Sequence, residues 1–330
     1  MTSLDKFATQ LPSGQVMPAV GLGTYAPKQE DDEVINAVKT AVKLGYRHLD
    51  CAALYRNERA IGHAIKQLII EDNVKRQDLF ISSKLWNTCH RADLVRPSLK
   101  KSLEDLGVKY IDLYLMHWPF SYKEGGRFYP TDEEGGLEVS DIDYMDTWRA
   151  MEDCVDEGLV KNLGASNFSV DQLKRVVNEA RIKPVNHQIE VYLHYANTEL
   201  VEFCKSKNVS VTAYCPLGSP WRFNAENLSH PMALEEPVVK DIAASKNKTP
   251  AQILLRFLLQ RGVSVIPKSS NPVHIAENIQ LEFQLSDSEM SKLLALNKDY
   301  KLIVGHKSVR QHKYFPIYRI TQFKVVNPIT

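Results

Sequence analysis

Short β-branched runs recur eight times along this chain, each followed by a stretch of helical periodicity, and that alternation leaves few possible folds. The runs are 19–23, 46–49, 79–84, 111–117, 160–166, 185–189, 209–214 and 263–267. Helical patterns lie at 33–43, 60–70, 94–106, 145–155, 171–177, 199–205, 238–244, 251–260 and 274–279, with a further one at 286–296. In the first of these, Val34, Ile35, Val38, Ala41 and Val42 share one face before Gly45. Eight such units predict a closed (β/α)8 TIM barrel rather than an open sheet. Residues 7–10 and 15–17, flanking Leu11-Pro12-Ser13-Gly14, predict an N-terminal β-hairpin. Long loops at 119–141 and 216–234 fall on one face of such a barrel. Without an intervening linker, residues 1–330 read as a single domain whose tail begins near 300. A doubly wound sheet would need a phosphate fingerprint. Gly21-Leu22-Gly23-Thr24-Tyr25 begins like one, but no third glycine or helix follows.

A barrel predicts functional groups where strands end. The strand ends here are Asp50, Lys84, His117, Ser166, Gln188, Tyr214 and Lys268, all polar after apolar runs. Charge narrows the partners. With 41 basic and 40 acidic residues the formal net charge is +1, and no long run of one sign occurs, which argues against nucleic acid or a membrane surface. The five cysteines (Cys51, Cys89, Cys154, Cys204, Cys215) lack metal-ligand spacing and read as free thiols, so no metal is expected. Residues 1–6 lack an apolar signal core, and no apolar run approaches the roughly 20 residues of a membrane span. A cytoplasmic protein is expected.

Three of these residues and a loop tyrosine form a chemical set. Tyr55 follows Asp50 on the loop, and Lys84 and His117 end the next two strands. A phenol is a poor acid at neutral pH, with an unperturbed pKa near 10. An adjacent ammonium favours the phenolate, so Lys84 is expected to lower that pKa, with Asp50 holding the lysine in place. His117 is placed to orient a substrate oxygen. Together they predict proton donation to a carbonyl oxygen as its carbon receives hydride. Singly, each has an ordinary explanation: a strand-end salt bridge, a core histidine, a loop tyrosine. Their convergence on one barrel mouth is what favours chemistry.

With these residues quoted, the chain resembles the aldo-keto reductase family, nearest the aldose and aldehyde reductase group. The match runs through Gly21-Leu22-Gly23-Thr24, Gly45-Tyr46-Arg47-His48-Leu49-Asp50-Cys51-Ala52, Tyr55-Arg56-Asn57-Glu58, Ser83-Lys84-Leu85-Trp86, Leu115-Met116-His117-Trp118-Pro119, Gly164-Ala165-Ser166-Asn167-Phe168, Ala213-Tyr214-Cys215-Pro216-Leu217-Gly218-Ser219 and Ile266-Pro267-Lys268-Ser269. The resemblance implies NADPH-dependent reduction of aldehydes and ketones, by a monomer acting on small carbonyl compounds. Tyr55 would be the acid, Lys84 and Asp50 its tuning pair, and His117 the orienting residue.

The resemblance also assigns cofactor contacts. Gly23, Thr24, Tyr25 and Asp50 would border the nicotinamide, Tyr214 would stack on it, and Ser166, Asn167 and Gln188 would bond its carboxamide. Pro216, Leu217, Gly218 and Ser219 would follow the pyrophosphate, and Lys268 and Ser269 would hold the 2′-phosphate with Ser270, Asn271 and His274 nearby. Glu277 and Asn278 would meet the adenine. Substrate would meet Tyr25, Leu54, Tyr55, Trp86, His117, Trp118 and Tyr129, with the tail from about 300 to 330 closing the pocket.

Some positions depart from the family pattern. His274 stands where relatives usually carry arginine, which implies weaker discrimination against NADH, while Lys268 keeps NADPH preferred and NADH the weaker alternative. Ala26 and Trp221 replace a lysine–aspartate latch, which implies faster cofactor release. The aromatic pocket implies a hydrophobic substrate: an aromatic or lipid-derived aldehyde, or a steroid-like ketone such as an ecdysteroid. The alternatives are an aldose (polyol) reductase and, from another class, a non-catalytic NADPH-binding module.

Overall fold

Alternate residues of an extended strand face opposite ways, and strand Phe80–Leu85 uses both directions. Ile81 and Leu85 join the main hydrophobic core outside the barrel, while Phe80, Ser82 and Lys84 line its interior. The computed structural model describes residues 7–26, 29–220, 232–305 and 309–316. A short antiparallel pair, β1 (Ala8–Gln10) and β2 (Val16–Pro18), comes first. The barrel strands follow: β3 (Leu22–Gly23), β4 (His48–Asp50), β5 (Phe80–Leu85) and β6 (Leu113–Met116). A second small pair, β7 (Ser121–Tyr122) and β8 (Val139–Ser140), precedes β9 (Leu163–Ser166), β10 (Asn186–Glu190), β11 (Ser210–Tyr214) and β12 (Val263–Val265).

The eight barrel strands are parallel and hydrogen-bonded in chain order, β3 to β12. Backbone bonds join the first strand to the last. Gly21 N donates to Val265 O at 2.8 Å, Val265 N to Ala19 O at 2.7 Å, and Gly23 N to Pro267 O at 3.1 Å. The expected (β/α)8 barrel is thus closed. Polar ends fix the helices. In α1 (Asp31–Lys43), three acidic residues occupy the first turn and Lys43 the last, each favourable to the helix dipole. Helix α2 (Glu58–Glu71) packs on α3 (Ala92–Leu106), which ends at Gly107 in the left-handed conformation. Ser169 and Gln172 form a capping box at α5 (Val170–Glu179), the helix after α4 (Tyr144–Asp156).

Along the barrel interior, polarity rises from the N-terminal to the C-terminal ends of the strands. At the bottom, Leu11 and Met17 of the hairpin pack on Phe80, Leu113, Leu115 and Val185. Gln15 fastens this plug, donating to Asp112 Oδ1 at 2.8 Å and accepting from Asn162 Nδ2 at 2.6 Å. Above it lie Ser82, Lys84, Asp50, Asn186 and Gln188.

Two expectations change. The loop at 119–141 contains the β7–β8 pair, whose two-residue strands are too short for a period-2 signal. Strand β10 runs past Gln188 to Glu190, so Gln188 lies within a strand rather than at its end. Trp221, and parts of the second long loop and of the tail, lie outside the described residues.

Gly62 of α2 meets α3 backbone to backbone: an added Cβ would lie 2.2 Å from Asp105 O. Gly62→Ala is therefore expected to destabilise the protein by about 1–3 kcal/mol in urea unfolding. An unchanged midpoint would show that the helices do not approach this closely.

Candidate active site

The site begins with a lysine that water cannot reach. Lys84 is fully buried on β5, and its ammonium has three donors to satisfy. It donates to Asp50 Oδ2 at 2.7 Å, to Cys51 O at 2.8 Å and to the Tyr55 hydroxyl at 3.2 Å. Asp50, the last residue of β4, accepts at its other oxygen from Ser82 Oγ (2.9 Å) and, across the barrel, from Gln188 Nε2 (2.7 Å). Ser82 also lies 3.2 Å from His48 Nε2.

Tyr55 is delivered by a single 3₁₀ turn, Ala53–Tyr55, that ends with Arg56 in the left-handed conformation. Asn57 Nδ2 then donates to Thr24 O at 2.8 Å, and Thr24 Oγ1 donates to Asp50 O at 2.8 Å. The loop that carries the phenol is thereby tied to the strand that carries the carboxylate. His117 follows β6; its ring stands edge-on to Trp86, with centroids 5.2 Å apart, and to Tyr55, at 6.2 Å.

Electrostatics reverses one expectation. Burial, and then the Asp50 carboxylate, push the Tyr55 phenol well above its usual range. The ammonium was expected to lower it. The lysine's charge is offset by Asp50 at 2.7 Å, so desolvation of the phenolate prevails. Burial also holds His117 well below the usual imidazole range, helped by the Lys84 and His90 charges, so the ring is neutral at pH 7. Its Nδ1 is buried without a hydrogen-bond partner among the described residues.

The residues expected to hold a dinucleotide gather beside this network. Tyr214 closes β11, and its hydroxyl donates to Asn167 Oδ1 at 2.6 Å. Asn167 Nδ2 donates to His117 O and to Ser166 Oγ, and Ser166 Oγ donates to Gln188 O. Their side-chain donors are thus already engaged with one another, and Gln188 Nε2 with Asp50. Tyr25 is 41% exposed and stands edge-on to Tyr55 at 5.1 Å.

After Tyr214, Cys215, Gly218 and Ser219 take left-handed backbone, a tight turn that includes Pro216 and Leu217. Lys268 follows β12 and is exposed, with the Glu33 carboxylate as a charge neighbour. Beside it Ser269 Oγ accepts from Asn271 N, Ser270 Oγ accepts from Gln29 Nε2 at 2.7 Å, and Asn271 caps a short helix, Pro272–Glu277. His274 is exposed on that helix, Glu277 is partly exposed, and Asn278 is buried at its end. Gln29 and Ser270 bridge the first loop to the last.

An aromatic cluster walls the mouth. Trp86, Trp118, Phe120, Tyr122, Leu137 and Val309 form its centre, with Leu54, Tyr129 and Phe315 packed against it. The structure thus brings together the expected substrate residues, though Trp86 and Trp118 are more deeply buried than a lining requires, at 3% and 8% exposed. The tail docks on the β7–β8 pair through His312 Nε2, which donates to Ser140 O at 2.8 Å.

Sequence reasoning passed over Ser82, Asn57, Phe120 and Val309. The period-2 rule offered a signal for Ser82, two residues before Lys84 on the same face. Asn57 and Val309 had no such signal: Asn57 bonds Thr24, 33 residues away, and Val309 packs with Trp86 and Trp118 from distant loops.

Comparison with known proteins agrees with this geometry. Residues 19–298 match the model of the Aldo/keto reductase family. Aldo-keto reductase family 1 member A1 of Gallus gallus is 45% identical over 294 residues, 88% of this chain and 89% of that protein. The Homo sapiens protein of the same name is 44% identical over 299 residues, 89% of this chain and 90% of its own. The aldose reductase structure from Schistosoma japonicum superposes with a TM-score of 0.88 at 42% identity, covering 94% of this chain and 99% of that one. The chain belongs to the aldo/keto reductase family of NADP-dependent oxidoreductases.

Proposed function

We propose that this protein reduces aldehydes and ketones to alcohols with NADPH, and that Tyr55 is the proton donor. The hydrogen-bonded series Asp50, Lys84, Tyr55 carries this reading. NADPH would supply a hydride to the carbonyl carbon. Tyr55 then gives its proton to the carbonyl oxygen, and the product is the alcohol. A raised phenol pKa suits this timing: the proton stays on Tyr55 until the substrate oxygen becomes the stronger base. The phenolate left behind faces the Lys84 ammonium 3.2 Å away. Neutral His117 holds the carbonyl oxygen by a hydrogen bond, and Asp50 keeps Lys84 in place.

The chain's own groups fit the cofactor. Tyr214, held by Asn167, offers a ring face for the nicotinamide. The left-handed turn at Cys215, Gly218 and Ser219 bends the backbone as a pyrophosphate path requires. Lys268, exposed after β12, with Ser269 and Ser270, suits a phosphate monoester. The aromatic mouth suits a hydrophobic carbonyl compound; a panel of aromatic aldehydes, steroid ketones and aldoses distinguishes this from an aldose reductase.

Tyr55→Phe is expected to lower kcat for carbonyl reduction by at least ~100-fold while fluorescence titration shows NADPH still bound; a wild-type rate would remove the phenol from the mechanism. Because His117 is already neutral, its active form persists as pH falls through the usual imidazole range, and because the Tyr55 pKa is raised, its acid form persists as pH rises. Reduction kcat should therefore show no inflection near ~6.5. An inflection there that disappears in His117→Gln would refute the neutral ring. With Lys268 present but histidine at 274, kcat/KM should favour NADPH over NADH, and Lys268→Met should remove most of that preference. Equal or better use of NADH by the unmodified protein would contradict this assignment.

A further inference from the structure

Glu190 takes no part in the chemistry above, yet it ends β10 on the barrel face where functional groups gather, and it is fully buried. A buried carboxylate is costly unless it is paired and hydrogen-bonded. Among the described residues, the hydrogen-bond and ion-pair partners of its side chain come from the root of the C-terminal segment. Leu302 N donates to Oε1 at 2.6 Å, and Ile303 N donates to Oε2 at 2.8 Å. Lys301, itself buried, brings its ammonium to 3.8 Å from Oε2 and lies over the Tyr195 ring at 5.1 Å. Two further bonds seat the same root on the loop after β10: the Tyr192 hydroxyl donates to Tyr300 O at 2.8 Å, and Tyr300 N donates to His194 O at 3.0 Å.

The fastened segment builds the pocket. Ile303, whose own amide is held by Glu190, packs on both the main core and the aromatic mouth. Val309 is fully buried in that mouth beside Trp86 and Trp118. On the barrel side, Glu190 pairs in register with Tyr214, the ring assigned to the nicotinamide. One carboxylate therefore sets the distance between the cofactor platform and the wall that a substrate would meet.

We propose that Glu190 is a positioning residue for substrate choice: it fastens the C-terminal segment so that Ile303 and Val309 present a fixed wall to the bulky side of a carbonyl substrate. The role rests on the carbonyl-reductase reading; the fastening itself does not. Glu190→Gln puts an amide donor where a backbone N–H must be accepted and removes the negative charge beside Lys301. Hydrogen exchange at the amides of Leu302 and Ile303 should then quicken about 10-fold, the loss of one hydrogen bond, while β4, β5 and β10 keep their protection. The ratio of kcat/KM for a bulky aromatic ketone to that for propionaldehyde should fall about 10-fold. Glu190→Asp, which keeps the charge for Lys301 but is too short to reach both amides, should fall between Gln and the unmodified protein in both readouts. Unchanged exchange at 302 and 303 would overturn the proposal. So would loosening spread over the barrel strands, or equal loss for both substrates. If the unmodified protein oxidised NADPH with no carbonyl compound, the functional reading would fail while the exchange data still judged the clamp.

Discussion

The interior of this protein depends on one buried ammonium. Lys84 is inaccessible to water, and removing one partner of such a pair typically costs about 3–5 kcal/mol. The chain meets this demand with a carboxylate, a backbone carbonyl and a phenol, one for each donor. Asp50 in turn needs its second oxygen satisfied, and Ser82 and Gln188 do so from two other strands. Tyr55 is thereby located by the same requirement that stabilises the lysine. The arrangement also explains why the phenol's pKa rises. Burial raises it first, and the Asp50 carboxylate raises it further.

A barrel interior is usually packed with branched apolar side chains. Here the lower part follows that rule and the upper part does not. Leu11, Met17, Phe80, Leu113 and Leu115 close the bottom, whereas Asn186 above them donates to Ser210 and Thr212 on the neighbouring strand. Polar groups are tolerated at this height because adjacent strands supply partners at hydrogen-bond distance. Most of the apolar burial lies instead between the barrel and its helices. The Asp50–Lys84–Tyr55 network thus stands on a frame whose stability comes largely from elsewhere.

The mouth is assembled differently. Its aromatic wall combines Trp86, just after β5, with residues of the loop that carries β7 and β8 and of the tail, and the family match ends at residue 298, before that tail begins. Strand ends carry the features shared with the family, and the later segment shapes the pocket. Glu190 joins the two, since it belongs to a strand and binds the tail.

The alternation of strand and helix was legible because each period reflects a local rule: side chains repeat every two residues on a strand and every 3.6 on a helix. Asp50, Lys84, His117 and Tyr214 were legible as polar residues that interrupt apolar runs, and the quoted motifs identified the family. The β7–β8 pair was not, because two-residue strands show no alternation. Glu190 and Ser82 sit two residues from Gln188 and Lys84 on the same faces, but their importance depends on partners 112 and 32 residues away. The sequence alone therefore determined the barrel and the polar residues at its strand ends, since both follow from local pattern. The tertiary structure decided the direction of the phenol's pKa, the bond from Gln188 to Asp50 and the fastening of the tail. Those depend on burial and on distances between segments far apart in the chain, which no local pattern encodes.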